Sequence, residues 1–292
     1  MNPNLFIVGA PKCGTTAWYT YLKDHPDIFF PTIKEPHYFA FDMPGLRETT
    51  SLAAYLDIFE SASAKKVIGE ASVFYMYSEF AAEAIAKFNK DAKIMIFLRD
   101  QEFFVPSFHQ QVLFTFDEEM ESFQQAWRLS GDRPANTIPP NCRDLKVLDY
   151  KRLGHIADQI ARYSAYFSEE QIAVIRFDDW VNDPRTMYLK ILKFLGVDDD
   201  GRDNFAAINQ ARYHKNRVVG RLLHHPPMWI EGPKAFLKKA LNVDSLGVAS
   251  KVHTFNLARG YTEKPDRELT EMIIHYYRDQ RQRIDQLPVR FL

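Results

Sequence analysis

Short apolar runs alternate with stretches of helical spacing along most of the chain. Four runs have the length and composition of buried strands: Leu5–Val8, Lys66–Gly69, Lys93–Leu98 and Ile172–Ile175. Helical periodicity appears at Thr15–Lys23, Glu79–Phe88, Leu148–Phe167, Pro184–Leu195 and Asp266–Leu287. Because strands that alternate with helices form βαβ units, the pattern predicts an α/β fold with a central, mainly parallel sheet flanked by helices.

Two regions depart from this alternation. The region around 115–147 joins an acidic run to a stretch rich in Pro and Asn, and we interpret it as an irregular, partly helical insertion that shapes a substrate cleft. The C-terminal part, 211–292, is basic at its start and helical at its end. Since no repeat or low-complexity linker divides the sequence, it predicts one domain over residues 1–292.

Composition and charge narrow the function classes. The chain is 46% hydrophobic and 26% charged with a net charge of −1, which is ordinary for a globular protein and gives no support to a nucleic-acid partner. Two cysteines make no disulfide framework, which favours a reducing compartment. Because no apolar run approaches the roughly 20 residues of a membrane helix and no signal peptide is visible, we expect a cytoplasmic location.

A glycine-rich turn, Gly9–Thr16, follows the first predicted strand and opens the first predicted helix. Backbone N–H groups and the helix dipole make such a turn an anion site, and glycine allows close approach of the backbone. Lys12 adds a positive charge, and Thr15 and Thr16 add hydroxyl groups. The spacing is close to the Walker pattern, but the lysine precedes the second glycine instead of following it, so the turn is suited to a phosphate that needs no Mg²⁺.

The segment Pro11-Lys12-Cys13-Gly14-Thr15-Thr16 resembles the 5′-phosphosulfate loop of the sulfotransferases that use 3′-phosphoadenosine 5′-phosphosulfate (PAPS). The subset it is most similar to contains the heparan sulfate sulfotransferases and their bacterial relatives. The resemblance implies a P-loop-like three-layer fold, PAPS as sulfuryl donor and 3′-phosphoadenosine 5′-phosphate (PAP) as product. No metal is expected, because the sequence has no His/Cys cluster with ligand spacing.

A second anchor follows the strongest predicted strand. Arg99 stands directly after it and Ser107 lies eight residues on, a pair that the resemblance assigns to the 3′-phosphate of the donor. An Arg at the carboxyl end of a central strand faces the ligand crevice of α/β sheets, and its planar fork suits a phosphate. The alternative is a salt bridge from Arg99 to Asp100 or to another surface acid. Pro106 predicts that the helix begins after it or bends there.

The segment Lys34-Glu35-Pro36-His37-Tyr38-Phe39 is similar to a motif of the heparan-type enzymes whose glutamate is the catalytic base. The resemblance implies that Glu35 deprotonates the acceptor, since an alcohol attacks poorly until a base takes its proton. Lys34 would steady the transferring group. His37 is the alternative base, and a helix-capping or surface role is the alternative for Glu35.

Weaker candidates lie on the acceptor side and near the C-terminal part. Glu70 and Ser72 follow the second predicted strand and are candidates to face the acceptor, with alanine at 71 where the family usually has lysine. Lys215 and Arg217 are candidates to cover the donor phosphates. Residues 211–240 carry seven Lys or Arg against one acid, so a solvated basic face and contact with a membrane surface are the alternatives there.

Together these residues predict a sulfotransferase that moves a sulfuryl group from PAPS to a hydroxyl or amine. The acceptor stays open between a carbohydrate, a lipid and a small alcohol, and the oligomeric state also stays open. Two other functions remain as alternatives: a P-loop NTPase or small-molecule kinase, and a non-catalytic nucleotide-binding module.

Overall fold

The computed structural model describes residues 1–62, 65–206, 212–224, 256–260 and 266–292. Its strands are β1 Leu5–Gly9, β2 Ile28–Phe29, β3 Val67–Ala71, β4 Lys93–Leu98, β5 Ile172–Arg176, β6 Arg212–His214, β7 Leu257–Arg259 and β8 Arg290–Phe291. Its α-helices in the first half are α1 Thr15–Lys23, α2 Leu52–Asp57, α3 Ala81–Phe88, α4 Gln101–Thr115, α5 Phe123–Leu129 and α6 Tyr150–Leu153. Those in the second half are α7 Ile156–Ser164, α8 Phe177–Asn182, α9 Pro184–Leu195, α10 Arg217–His224, α11 Arg267–Tyr276 and α12 Arg278–Ile284.

Six strands form one parallel sheet in the order β2-β3-β1-β4-β5-β8. The central strands are almost entirely apolar and buried, as expected when helices cover both faces of a parallel sheet. This arrangement confirms the α/β fold predicted from the sequence. A separate antiparallel pair joins β6 to β7.

The strand order creates a crevice between β1 and β4. The chain runs from β1 to β2 and β3 on one side of the sheet, and then crosses to β4 on the other side of β1. The connections after β1 and β4 therefore diverge, and the carboxyl ends of such strands are where open α/β sheets bind ligands. The glycine-rich turn follows β1, and Arg99 follows β4.

Aromatic packing fixes α1, the helix that begins in that turn, against the sheet. The fully buried ring of Trp18 stacks on Phe97 of β4 at 6.0 Å between centroids and on Tyr188 of α9 at 6.4 Å. It also meets Trp180 of α8 edge to face at 5.8 Å. Large aromatic side chains contribute much of the buried area of a core, so these contacts set the position of the N-terminus of α1.

The long helix expected over Leu148–Phe167 is wrong, because the chain breaks it into α6 and α7 at Gly154. The ring of Tyr277 occupies the space above Gly154, where a Cβ atom would lie 2.3 Å from Tyr277 Cζ. The single proton of the Tyr277 hydroxyl is shared between the carbonyls of Tyr150, at 2.9 Å, and Lys151, at 2.8 Å. The same residue separates α11 from α12, so the single final helix expected over Asp266–Leu287 is wrong as well.

The expected later start of the helix that carries Ser107 is also wrong. Helix α4 begins at Gln101 and contains Pro106, which is buried within it. Hydrogen bonds from the N–H groups of Phe103 and Phe104 to the Asp100 carbonyl form its first turn. Proline lacks an N–H and removes one helical hydrogen bond, but here the apolar packing of α4 retains the helix around it.

Two fully buried carboxylates, those of Asp117 and Glu118, organise the insertion around 115–147. Glu118 accepts hydrogen bonds from the N–H groups of Glu119 and Met120 and from the Tyr150 hydroxyl, and it pairs with Arg133 at 2.7 Å. Helix α5 lies within this region. The acidic run therefore includes interior anchors and not only solvated charges.

Within the described parts of the chain, none of the helices combines the length and the apolar character needed to cross a membrane. The Met228–Leu237 part of the basic stretch, which suggested membrane contact, lies outside the described residues.

Candidate functional site

A cavity of about 690 Å³ opens at the carboxyl ends of β1 and β4. It brings together parts of the chain that are far apart in the sequence: the turn after β1, the segment between β2 and α2, the segment after β3, the end of β4, the inner face of α4, the insertion and α8. Its polar lining is Lys12, Thr15, Thr16, Glu35, Arg99, Ser107, Gln111, Thr115, Asp117 and Arg143. The apolar lining includes Val73, Phe74, Phe177, Trp180 and Phe205.

The turn after β1 presents the N-terminus of α1 to this cavity. The N–H of Ala10 donates to the Phe97 carbonyl at 2.8 Å, which ties the turn to β4. Gly14 is the N-cap of α1 at φ 92°, and no side chain of the described residues caps the helix there. The first-turn N–H groups, next to Thr15 and Thr16 in the lining, are therefore available to an anion.

Glycine at position 14 is required by both backbone and packing. A positive φ is accessible to glycine at no steric cost. A Cβ atom on this residue would also lie 2.4 Å from the Trp180 ring. Trp180 thus packs directly on the turn and shares the cavity wall with it.

Lys12 reaches across the cavity to α4. Its ammonium Nζ donates a hydrogen bond to Gln111 Oε1 at 3.2 Å, and among the described residues no carboxylate lies at ion-pair distance from it. Burial lowers the pKa of Lys12, and the nearby Glu35 only partly offsets that effect. The ammonium is held by a neutral amide, so its charge is not cancelled by its direct partner.

Arg99 is held by two aromatic rings. Its guanidinium carbon lies 4.5 Å from the centroid of the Phe177 ring and 5.3 Å from that of Phe103. Its Nε is buried and has no hydrogen-bond partner among the described residues. The salt bridge to Asp100 that the sequence left open does not occur in these residues. Cation–π contacts fix the guanidinium while leaving its fork free for an anion.

Ser107 lies in the same cavity, as expected for its pairing with Arg99. It is buried on the inner face of α4. The structure therefore brings together the turn, Arg99 and Ser107, which the sequence places over about 100 residues of chain.

Glu35 enters the cavity from the segment before α2. Its N–H donates to the Ala71 carbonyl at 3.0 Å, and its φ of 63° turns the chain sharply at this point. Its carboxylate pairs with Lys34. Burial would raise the pKa of Glu35, but the nearby charge of Lys34, its hydrogen bond to the carboxylate and the charge of Lys12 act against burial, and the pKa lies below its usual value. Glu35 is thus ionised at neutral pH and able to accept a proton.

His37 lies behind Glu35 and does not line the cavity. Its Nδ1 is 2.6 Å from the Glu35 carbonyl, which can only accept, so Nδ1 carries the proton. The backbone N–H of His37 donates a hydrogen bond to Ser72 Oγ at 3.0 Å. Burial lowers the pKa of His37, which keeps the ring neutral. These contacts fit a side chain that holds the turn at Glu35 better than one that takes a proton from an acceptor.

Glu70 and Ser72 are also fully buried behind the lining. Glu70 accepts a hydrogen bond from the Tyr55 hydroxyl at 3.0 Å. Burial is the largest influence on Glu70 and raises its pKa from 4.5 to about 7. The structure therefore does not bring His37, Glu70 or Ser72 to the wall that an acceptor would touch.

Lys215 and Arg217 lie apart from the cavity lining. The backbone N–H of Lys215 donates to the Asn256 carbonyl at 2.8 Å, and its side chain is exposed. Arg217 forms an ion pair with Glu121 of the insertion. Their assignment to the donor phosphates stays a prediction.

Several lining residues escaped the sequence analysis. Asp117 and Arg143 are 26 residues apart and pair at 2.6 Å, a contact that no local pattern could indicate. Trp180 has no local sequence signal that indicates a place in the cavity wall. Gln111 could have been found, because it stands four residues after Ser107 and such residues share one face of a helix.

Comparisons with known proteins agree on one family. A family model described as a sulfotransferase domain matches residues 2–220. Carbohydrate sulfotransferase 15 of Rattus norvegicus is 26% identical over 254 residues, which cover 67% of this chain and 44% of that protein. Bifunctional heparan sulfate N-deacetylase/N-sulfotransferase 4 of Mus musculus is 30% identical over 207 residues, which cover 67% of this chain and 22% of that protein. The chain thus spans less than half the length of these two relatives.

A solved structure matches over nearly its full length. The sulfotransferase from Alicyclobacillus acidocaldarius superposes with a TM-score of 0.62 at 27% identity, and the match covers 87% of this chain and 99% of that chain.

Proposed function

Because the chain belongs to the sulfotransferase family, we propose that it transfers a sulfuryl group from PAPS to a hydroxyl or amine of an acceptor. The observation that carries the proposal is that one cavity joins three features. They are the uncapped N-terminus of α1, the cations Lys12 and Arg99, which have no direct carboxylate partner among the described residues, and the ionised Glu35. The first two features suit a doubly phosphorylated donor, and the third suits proton removal.

The donor would be held at two points. The N–H groups of Gly14 to Thr16, with Lys12, would bind the 5′-phosphosulfate, and Arg99 with Ser107 would bind the 3′-phosphate. A phosphate on Arg99 would use the guanidinium edges that the two aromatic rings leave open. Both assignments follow the family resemblance, and the shared cavity supports them.

Glu35 would act as the base in a single displacement. It removes the proton from the acceptor as the acceptor's oxygen or nitrogen bonds to sulfur, and the bond between sulfur and the departing phosphate oxygen breaks. Lys12 stabilises the negative charge that grows on that phosphate, an interaction aimed at the transition state. Lys34 keeps Glu35 ionised through their ion pair.

The names of the relatives indicate which acceptor class to test first. Those named above act, by their names, on a carbohydrate or on heparan sulfate, so a carbohydrate is the first class to test. Lipids and small alcohols remain in the screen, because alanine replaces the lysine usual at position 71 in heparan-type enzymes.

Calorimetry with PAP, ADP and ATP, followed by an acceptor screen with labelled PAPS, tests the proposal. We expect PAP to bind more tightly than ADP or ATP and label to appear on at least one acceptor. Mg²⁺-dependent ATP hydrolysis would favour a P-loop NTPase instead. PAP binding without transfer to any acceptor would indicate a nucleotide-binding module.

Glu35→Gln separates donor binding from chemistry. We expect PAP affinity to stay within about threefold, because the carboxylate is not part of the phosphate site, and turnover to fall by 100-fold or more, in the range of a lost general base. Glu60→Gln, on an exposed residue, serves as the control. Turnover at the wild-type level in Glu35→Gln would refute the role of Glu35.

The single-domain organisation and the cytoplasmic location stay predictions. Fractionation of the source cells would test the location, and liposome flotation would test the membrane contact suggested by the basic stretch.

A further inference from the structure

Helix α4 supplies three polar side chains, spaced about one turn apart, to the cavity. Ser107, Gln111 and Thr115 all line it, and residues four apart on a helix lie on the same face about 6 Å apart along the axis. Ser107 belongs to the proposed 3′-phosphate site. Gln111 is the middle residue of this row and contacts Lys12 of the proposed phosphosulfate loop.

The contact with Lys12 fixes which way the Gln111 amide points. A lysine ammonium has three donors and no acceptor, so only the Oε1 of Gln111 can face it. The observed separation of 3.2 Å between Lys12 Nζ and Gln111 Oε1 agrees with that orientation. The amide nitrogen Nε2, with its two N–H donors, must then be directed away from Lys12.

The partner of Lys12 is also neutral, and this matters for charge. A carboxylate at position 111 would form an ion pair with Lys12 and cancel much of its charge, and it would place a negative group beside an anionic donor. An amide can orient the ammonium without doing either. Glu35 is the carboxylate that most raises the pKa of Lys12, but its ion pair is with Lys34.

We propose that Gln111 is a catalytic residue: its Oε1 orients the Lys12 ammonium, and its Nε2 donates a hydrogen bond to an oxygen of the sulfuryl group during transfer. The inference rests on the function proposed above. Negative charge on the transferring group and on the departing phosphate would then meet two adjacent donors, one cationic and one neutral, both positioned before the reaction.

The test compares Gln111→Met with wild type. Methionine keeps a similar length, but it has no amide oxygen to accept the hydrogen bond from Lys12 and no N–H to donate to a sulfuryl oxygen. We expect kcat to fall about 100-fold, the lower end of the effect of one lost oxyanion donor. PAP has no sulfuryl group, so its affinity should change by less than about threefold. Melting temperature serves as the check on folding.

Gln111→Glu and Gln111→Asn extend the comparison. The glutamate has the same shape but opposes the donor's charge, so both kcat and PAP affinity should fall. The asparagine keeps the amide on a shorter stem, and we expect it to behave like Gln111→Met. Gln125→Leu, on an exposed residue of α5, is the control and should match wild type.

Two results would overturn the inference. One is wild-type kcat in Gln111→Met. The other is a parallel loss of kcat, PAP affinity and melting temperature, which would mean that Gln111 only supports the fold. If the wild-type protein binds PAP but sulfates no acceptor, the proposed function fails and this inference fails with it. That outcome differs from an active wild type whose kcat is unchanged by substitution of Gln111, which refutes only the inference.

Discussion

Lys12, Arg99 and Glu35 are held in the cavity by three different kinds of contact. A neutral amide binds Lys12, two aromatic rings enclose Arg99, and a lysine pairs with Glu35. The two cations that would meet phosphate therefore keep their charge, while the group that would take a proton is kept ionised. At this scale the chemistry is decided by the direct partner of each side chain.

Lys12→Ala removes the cation that we propose stabilises the departing phosphate. We expect kcat at saturating PAPS to fall ten- to a thousandfold, the range for one charge-stabilising donor. Lys90→Ala, at an exposed position, is the matched control. Labelled transfer to the best acceptor of the screen gives the measurement, and equal rates for the two variants would contradict the role of Lys12.

Glu70→Gln should change how stability depends on pH. Because the folded pKa of Glu70, about 7, lies above the unfolded value near 4.5, the folded state holds this proton more tightly. The stability this gives is fully present below pH 4.5 and is lost as the pH rises through 7, on the order of 3 kcal/mol. Glutamine cannot ionise and should remove that slope.

Urea unfolding of both proteins at pH 5 and pH 8 measures this effect. Wild type should lose more free energy of unfolding between the two pH values than Glu70→Gln does, with Glu60→Gln behaving as wild type. Identical losses in wild type and Glu70→Gln would contradict the raised pKa.

The identities of the site residues were more predictable than their surroundings. Gly14, Arg99 and Glu35 could be assigned because each stands at a strand end or in a short motif, where the local sequence carries the signal. Phe177 and Gln111 could not be assigned as partners, because each contact joins segments that only the tertiary fold brings together. The predicted family and fold are confirmed, and the role of each residue stays a prediction.

At the scale of elements, Gly14 and Trp180 join the start of α1 to α8. The turn and α8 occupy adjoining space, and the absent Cβ of Gly14 leaves room for the indole ring. The break between α6 and α7 also depends on a distant residue. Tyr277 fills the space above Gly154, and its hydroxyl binds the carbonyls of Tyr150 and Lys151. Periodicity along the sequence could not indicate either feature, because the cause lies on a distant element.

Gly14→Ala tests the first of these contacts. The added methyl group would strain a backbone at φ 92° and collide with Trp180, so we expect a stability loss of about 1–3 kcal/mol and at least a tenfold loss of PAP affinity. Calorimetry and urea unfolding measure the two effects.

Gly196→Ala is the matched control for that variant. Gly196 also has a positive φ, of 77°, but nothing lies within 4 Å of the Cβ it would gain. The Gly196→Ala variant should lose about 1 kcal/mol of unfolding free energy and keep its PAP affinity. Equal PAP affinity in the two variants would contradict the importance of the turn.

At the scale of the whole molecule, the sheet order assembles the site. Placing β1 between β3 and β4 brings the two predicted phosphate anchors to one crevice, although they lie about 90 residues apart in the sequence. The sequence predicted β1, β3, β4 and β5 and their parallel direction, but it did not indicate β2 or β8, because two residues are too few for a periodic pattern.

PAP should stabilise the whole fold through these anchors. At 100 times its Kd, a ligand that binds only the folded state adds about 2.7 kcal/mol, which is a rise of roughly 5–10 °C in Tm for a chain of this size. Arg99→Ala should abolish most of that rise at the same PAP concentration, and ATP should produce little. Differential scanning calorimetry measures the shift, and an undiminished shift in Arg99→Ala would contradict the anchor.

The indole of Trp180 both covers Gly14 and forms part of the cavity wall. Tryptophan emission responds to the polarity and motion of whatever touches the ring. The protein therefore carries a built-in optical probe at its binding site, through which occupancy can be followed by light without attaching a label.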